Sequence, residues 1–202
     1  MSNSAPDIIL DWWGTYGRSP VLREWSDLAF TSLREDLDSI PAFPVPAGYR
    51  LRYYRPGDEE EWAHIWTISG VKGWDGASIQ TFFEDYGTDP KVHAKRCIFA
   101  ESLDGKVVGT VTAWYARYRG KRYGMIHWFA VDPAHGRKGI GKSLLAESLR
   151  CMKRLGHRRA MVGTQTVRLP AIKAYVALGF IPVLPEMRRK LSVYIDDPAL
   201  RK

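Results

Sequence analysis

The sequence predicts a mixed α/β fold of the α+β kind, an antiparallel meander followed by a parallel strand pair, with an extra helical segment at the N-terminus. Three observations predict it. The runs CIFAESL, KVVGTVTAWY and YGMIHWFAV follow one another through short turns; Asp104-Gly105 is a two-residue hairpin signal, and Arg119-Gly120-Lys121 turns the second run into the third. A glycine-rich loop, GRKGIG, then opens an amphipathic helix. Beyond that helix, strand and helix patterns alternate, which is the pattern of a parallel arrangement.

Residues 1–48 read as an N-terminal helical extension and a Pro-rich linker. Ser19-Pro20 supplies a capping hydroxyl and a proline for the first helical position. Val21, Trp25, Leu28, Ala29, Leu33 and Leu37 then recur at helical spacing as one apolar stripe. The three prolines of IPAFPVPAG exclude regular structure after it. The stripe requires cover, either from the main domain or from a second subunit in a homodimer.

The main domain, residues 49–202, opens with the strand YRLRYY, stopped by RPGD. Asp58, with Glu61 three residues on, reads as a capping box for a helix that carries Trp62, Ile65 and Trp66 on one face. Gly70 and Gly73 break the chain, and Ile79, Phe82, Phe83 and Tyr86 mark a second short helix before the meander. After the glycine loop, Leu144, Leu145, Leu149, Met152 and Leu155 stripe a helix that stops at Gly156. RAMVGT is the next strand, Pro170 to Leu178 a helix closed by Gly179, and MRRKLSVYI a final strand.

Composition bounds the function. Apolar residues make up 45% and charged residues 26% of 202, the profile of a globular protein. The sequence holds no apolar run long enough for a transmembrane helix, and MSNSAPDIIL does not read as a secretory signal. Two cysteines, Cys97 and Cys151, lack metal-type spacing and read as reduced structural residues of a cytoplasmic protein. The formal net charge of +8 favours polyanions in general. Its clusters (Arg117, Arg119, Lys121, Arg122; Lys153, Arg154, Arg158, Arg159; Arg188, Arg189, Lys190) read as solvated ends of elements. No nucleic-acid motif accompanies them, so no specific nucleic-acid or membrane partner is expected.

The glycine loop has two meanings. Gly136, four residues, then Gly141-Lys142-Ser143 match the P-loop pattern. A P-loop follows a buried parallel strand directly, whereas here Asp132-Pro133-Ala134-His135 intervene after a strand that closes a meander, and VYID (Asp196) is a weak partner for magnesium. In the other meaning, Gly139 and Gly141 let main-chain N–H groups at a helix start approach a pyrophosphate.

FAVDPAHGRKGIGKSLL followed by AIKAYVALGF resembles the GNAT superfamily of acetyl-CoA-dependent N-acetyltransferases, over about residues 49 to 184. The resemblance implies a GNAT-like fold in which the strand Phe129–Val131 splays from the next parallel strand, Ala160–Thr164. The main chain of Phe129, Ala130 and Val131 then pairs with the amides of pantetheine. It implies that Arg137, Lys138, Gly139, Ile140, Gly141, Lys142 and Ser143 hold the CoA pyrophosphate. The chain departs from the family at Gly136, where Arg or Gln is usual, with Arg137 one place later. It departs again at Arg168, which replaces a common Asn and either meets a CoA phosphate or faces solvent.

An alkyl amine with a pKa of ~10.4 is mostly protonated at neutral pH, a handicap of roughly 4–5 kcal/mol, so acetyl transfer calls for a base and for an acid at the leaving thiolate. Tyr175 matches the family's helix tyrosine near the thioester sulfur and is the candidate acid. The family's strand Glu is replaced by Met125; His127, two residues on and on the same strand face, is the candidate base, with Glu101 and Tyr115 as fallbacks. Acceptor contacts are expected from residues 67 to 86, including Trp74, Asp75, Phe82, Phe83 and Glu84, and from the hairpin at Tyr118, although aromatics at helical spacing are more often core, and nothing in the sequence requires Trp12 and Trp13 to close over the site. The resulting expectation is an enzyme that moves acetyl from acetyl-CoA to a primary amine of a small-molecule or peptide acceptor, by direct attack in a ternary complex and without a metal. Two other classes stand beside it: a non-catalytic acyl-CoA-binding regulator of the same fold, and a P-loop NTPase.

Overall fold

A computed structural model of the chain describes residues 29–69, 78–165 and 168–201. Its strands are β1 (Ala29–Arg34), β2 (Tyr49–Tyr53), β3 (Cys97–Ser102), β4 (Val107–Tyr118), β5 (Lys121–Val131), β6 (Ala160–Gln165) and β7 (Ile181–Pro182). Its helices are α1 (Asp58–Ile68), α2 (Ile79–Tyr86), α3 (Pro90–Arg96), α4 (Ile140–Arg154), α5 (Leu169–Ala177) and α6 (Pro185–Ser192). The strands form one mixed sheet in the order β2-β3-β4-β5-β6-β1-β7, so the expected α/β class and meander are present. The chain divides into two compact units, one of Ile40–Ala113 with Ile126–Cys151, the other of the segment ending at Ser39 with Trp114–Met125 and Met152 onward.

The first of these units is built on aromatic rings. Trp62, Ile65 and Trp66 of α1 and Phe82 and Tyr86 of α2 are buried, as their helical spacing predicts. Trp62 meets Phe82 edge-on with ring centroids 5.4 Å apart, and Phe82 meets Tyr86 at 5.0 Å. Edge-to-face pairs of this kind add roughly 0.5–1.5 kcal/mol each beyond the burial of their area. The cap of α1 differs from the expected box: Gly57, at φ 99°, is the N-cap, and no side chain caps the helix. Asp58 instead binds the Arg52 guanidinium at 2.6 and 2.8 Å and accepts from the Arg55 N–H. Helix α3 has no counterpart in the sequence reading, although Asp89 caps it and Pro90 stands in its first turn.

In the other unit, two expectations are corrected. Residues 29–34, the second half of the predicted N-terminal helix, are strand β1, paired antiparallel with β6 from Ala29↔Gln165 to Arg34↔Ala160 and with β7 at Ser32↔Pro182. Residues 1–28, with the Ser19-Pro20 start and Trp12 and Trp13, lie outside the described residues. The Arg34 guanidinium donates to the carbonyls of Leu178, Ser39 and Asp36, which places a cation at the carbonyl end of α5. Residues 40–46 carry no regular structure, as three prolines dictate. The segment MRRKLSVYI forms no strand: Pro185 and Glu186 begin helix α6, and Val193 and Tyr194 beyond it are exposed.

Candidate active site

The glycine loop lies between β5 and α4. Asp132 caps a single 3-10 turn, accepting from the Ala134 N–H at 2.9 Å. Arg137 then takes φ 59° and Gly139 φ 92°, so the loop reverses twice before α4 begins at Ile140. Gly141 leaves room for Phe129: a Cβ there would stand 3.1 Å from the ring, which would have to give by a few tenths of an ångström. Gly109 on β4 plays the same part, since its Cβ would meet the Ala130 carbonyl and Leu144 at 3.1 Å. These two glycines let the start of α4 sit directly against β5.

The first-turn N–H groups of a helix have no carbonyl four residues back, so those of Ile140, Gly141 and Lys142 face an incoming anion with the helix dipole behind them. Arg137, Lys138, Gly139 and Lys142 are exposed around them. The Lys138 ammonium donates to the Tyr49 hydroxyl at 3.1 Å, and that hydroxyl bonds His135 Nδ1 at 2.8 Å, so Lys138 is held beside the loop. Lys142 lies over the Phe43 ring. Ser143 is 1% exposed; its hydroxyl donates to the Ile140 carbonyl and its N–H to that of Gly139. The Ser143 hydroxyl oxygen keeps its acceptor lone pairs, but its proton and its N–H are engaged within the helix.

On β5, Ala130 is buried, while Phe129 and Val131 are half-buried. Trp128, just before them, has φ 46°, a strained left-handed conformation for a bulky residue. Consecutive strand residues normally point to opposite faces. Here His127 and Trp128 both reach α2: His127 Nδ1 bonds the Tyr86 hydroxyl at 3.1 Å, and the Trp128 indole N–H donates to the Asp85 carboxylate. Trp128 also sits edge-on to Trp62 and Trp66, at 4.8 and 4.6 Å. His127 is 4% exposed, and burial pushes its pKa down to about 3, so it is neutral at physiological pH. Glu101, a fallback base, is tied to Arg50 at 2.7 Å and Arg52 at 3.5 Å. Burial works to raise its pKa, but the two guanidinium groups outweigh that and hold its carboxyl below the usual range.

In the other unit, Tyr175 on α5 is 3% exposed and packs edge-on to Phe180 at 6.1 Å. Burial raises its hydroxyl pKa above the ordinary value, with Arg168 opposing, so it keeps its proton. Arg168 is the N-cap residue of α5 and is half-buried; its carbonyl accepts from the N–H groups of Ala171 and Ile172. Tyr115, the other fallback, is 42% exposed on β4.

The family model for the acetyltransferase (GNAT) family matches residues 59–180, more than half of the sequence. The chain belongs to the GNAT family. Among curated relatives, this GNAT chain is 28% identical over 152 residues to a mycothiol acetyltransferase of Saccharomonospora viridis, covering 67% of this chain and 47% of that protein. It is 31% identical over 150 residues to the one of Salinispora tropica, covering 70% and 47%. The chain thus spans about half the length of these relatives. Among solved structures it resembles a GCN5-related N-acetyltransferase from Sphaerobacter thermophilus, with a TM-score of 0.58, 21% identity, and coverage of 80% of this chain and 52% of that one. It also resembles the ribosomal-protein-S18-alanine N-acetyltransferase of Escherichia coli, with a TM-score of 0.51, 19% identity, and coverage of 66% and 77%. At these identities the structural likeness concerns the fold.

The loop residues and strand Phe129–Val131 occupy one unit of the GNAT chain, and Tyr175 and Arg168 the other. Of the expected acceptor contacts, Phe82 is fully buried core, Glu84 is exposed, and Trp74 and Asp75 lie outside the described residues. Sequence reasoning missed the Asp85–Trp128 and Tyr86–His127 contacts. The residue types gave a hint in the adjacent Asp85-Tyr86 pair, but a left-handed tryptophan carries no signal in sequence.

Proposed function

We propose that this protein is an N-acetyltransferase, moving the acetyl group of acetyl-CoA to a primary amine of a small-molecule or peptide acceptor by direct attack in a ternary complex. The observation that carries the reading is the start of α4. In a chain of the GNAT family, Gly141 seats the first-turn N–H groups of this helix against β5, ringed by exposed Arg137 and Lys142. The loop fits a diphosphate: main-chain donors, cations, and a glycine where a side chain would intrude. The main chain of Phe129, Ala130 and Val131 is assigned to the pantetheine amides, and Arg168 to a CoA phosphate.

The amine nitrogen attacks the thioester carbonyl carbon, forming the C–N bond. The C–S bond of the tetrahedral intermediate then breaks and the CoA sulfur takes the Tyr175 proton; the proton released by the amine passes through water and restores the Tyr175 hydroxyl. A neutral tyrosine holds the proton that this donation needs. His127, neutral and with little basicity, is better suited to orienting the Tyr86 hydroxyl than to holding a proton, so the acceptor loses its proton through solvent. Mycothiol acetyltransferases among the relatives support transfer to a small-molecule amine.

The second reading, a regulator that binds acyl-CoA without turnover, is favoured by the state of the two strand candidates, since neither His127 nor Glu101 is a ready base. Free-thiol release from acetyl-CoA over an amine panel separates the two. The panel includes the acceptor of the mycothiol acetyltransferases. We expect amine-dependent thiol release together with acetyl-CoA binding by calorimetry. Binding with no turnover on any amine selects the regulator, and no binding removes both.

A further inference from the structure

The Pro-rich segment IPAFPVPAGY, residues 40–49, is more than a connection into β2. Its burial has a period of three: Ile40, Phe43, Pro46 and Tyr49 are half-buried, and every residue between them is exposed. Three residues per turn is the repeat of polyproline II, toward which Pro41, Pro44 and Pro46 bias the chain. One edge of the segment therefore faces the protein, and from Phe43 onward it meets the glycine loop. The Lys142 ammonium lies 5.1 Å from the Phe43 ring centroid. Pro46 stands over Gly139, with its Cγ 3.4 Å from where a Cβ would be. Tyr49 meets His135 and Lys138. All these residues belong to one compact unit. The family match begins at residue 59, so the segment is an addition to what that match covers.

The two lysines are held without being neutralised. No residue from 40 to 49 is charged, and among the described residues neither Lys138 nor Lys142 stands in an ion pair. A cation paired with a carboxylate must give that partner up to bind a phosphate; one resting on a ring or a hydroxyl keeps its charge available. Lys138 lies 5.8 Å from the Tyr49 ring centroid and donates to its hydroxyl at 3.1 Å, and that hydroxyl is fixed in turn by His135 Nδ1 at 2.8 Å. An ammonium has three protons to donate, so the one spent on Tyr49 leaves the others for an anion. The prolines limit the freedom of the chain that carries the rings, so the lysines are restrained before a ligand arrives.

We propose that the Pro-rich segment is part of the CoA site, with Phe43 and Tyr49 as positioning residues that hold Lys142 and Lys138 for the CoA phosphates. This assignment rests on the acetyl-CoA reading of the glycine loop and adds to it a wall from outside the matched region.

The test is calorimetric titration of acetyl-CoA into the full chain and its variants, with urea denaturation to verify that each is folded. Tyr49→Phe keeps the ring and removes the hydroxyl that Lys138 bonds. Phe43→Leu keeps apolar bulk and removes the ring beside Lys142. Lys138→Met and the double variant with Tyr49→Phe complete a cycle. We expect Tyr49→Phe and Phe43→Leu each to weaken binding roughly three- to tenfold, the range for restraint of one long side chain. Lys138→Met should weaken it at least about tenfold, and this loss should shrink as salt is raised. Adding Tyr49→Phe to Lys138→Met should weaken binding less than about twofold further, which a general loss of fold would not give. Val45→Ala, on the exposed side of the segment, should bind within about twofold of native. Native-level or tighter binding by either Tyr49→Phe or Phe43→Leu overturns the proposal, and so does an equal loss from Tyr49→Phe with and without Lys138. A loss in Lys138→Met that salt leaves unchanged overturns the assignment to phosphates. Failure of the native chain to bind acetyl-CoA removes the acetyl-transfer reading and this proposal together, whereas every other outcome leaves that reading standing.

Discussion

His127 and Tyr175, one in each compact unit, are both fully buried, and burial acts on them in opposite directions to the same end. It lowers the pKa of the imidazole to about 3 and raises that of the phenol, because in each case the charged form is the one that loses its hydration. Both side chains are therefore neutral at physiological pH. The chemical results differ. A neutral phenol still has a proton to give, although burial also makes the phenolate it would leave costly, so Tyr175 can serve as an acid only as thiolate charge develops beside it. A neutral imidazole can accept a proton, but burial makes its charged form costly, so His127 is a weak base where it lies. Desolvation alone does not make a catalytic group; its value depends on which protonation state the reaction consumes.

The largest expected effect falls on the tyrosine. Tyr175→Phe keeps the ring and its packing on Phe180 and removes the proton donor. Amine-dependent turnover should fall about 10²–10⁴-fold, with acetyl-CoA affinity within about threefold. Turnover within threefold of native would break the contrast by leaving neither residue with a chemical role.

The next effect concerns stability. The unfolded chain protonates His127 near ~6.5, whereas the folded protein holds it neutral down to about pH 3. Its contribution to stability is thus complete above ~6.5 and is lost as the pH falls, at up to ~1.4 kcal/mol per pH unit. Urea denaturation should show His127→Gln losing roughly 2 kcal/mol less than the native chain between about pH 6.5 and 4.5. Equal losses would mean that His127 titrates normally in the fold, which would restore it as a base.

The smallest effect sharpens the comparison. Tyr86→Phe deletes the hydroxyl that bonds His127 Nδ1 and should cost about 1–2 kcal/mol in the same denaturation experiment. Turnover should stay within about threefold. A hundredfold loss would show that the Tyr86–His127 contact carries a proton.

Much of the fold was legible because its local signals agree. The meander is fixed by Asp104-Gly105 and Gly120, and α4 by a leucine stripe after Gly139 and Gly141. These same residues carry the candidate loop, so its position could be read with them. Strand β1 was hidden because, among its described side chains, the buried ones are Ser32 and Arg34, which are polar, while its main chain pairs with β6 and β7. The leucines on either side of this segment mimic a helical stripe. Helix α6 was mistaken for a strand because Leu191 is its one buried residue, which leaves almost no helical pattern. Within the site, residue identity placed His127 on its strand but not in its environment. Its neutrality follows from α2 folding over it, and the kink at Trp128 turns two successive side chains toward that helix.

Arg34 reaches the Leu178 carbonyl across 144 positions of sequence, and this has a temporal meaning. A ribosome adding ~5–20 residues per second would keep β1 waiting roughly 7–30 s before that carbonyl is even synthesised. One edge of β1 lies open until β6 is made, and the other until β7 is made. In the cell, the arrival of β6 and β7, rather than the chemistry of the loop, would then set how soon a newly made chain is safe from aggregation.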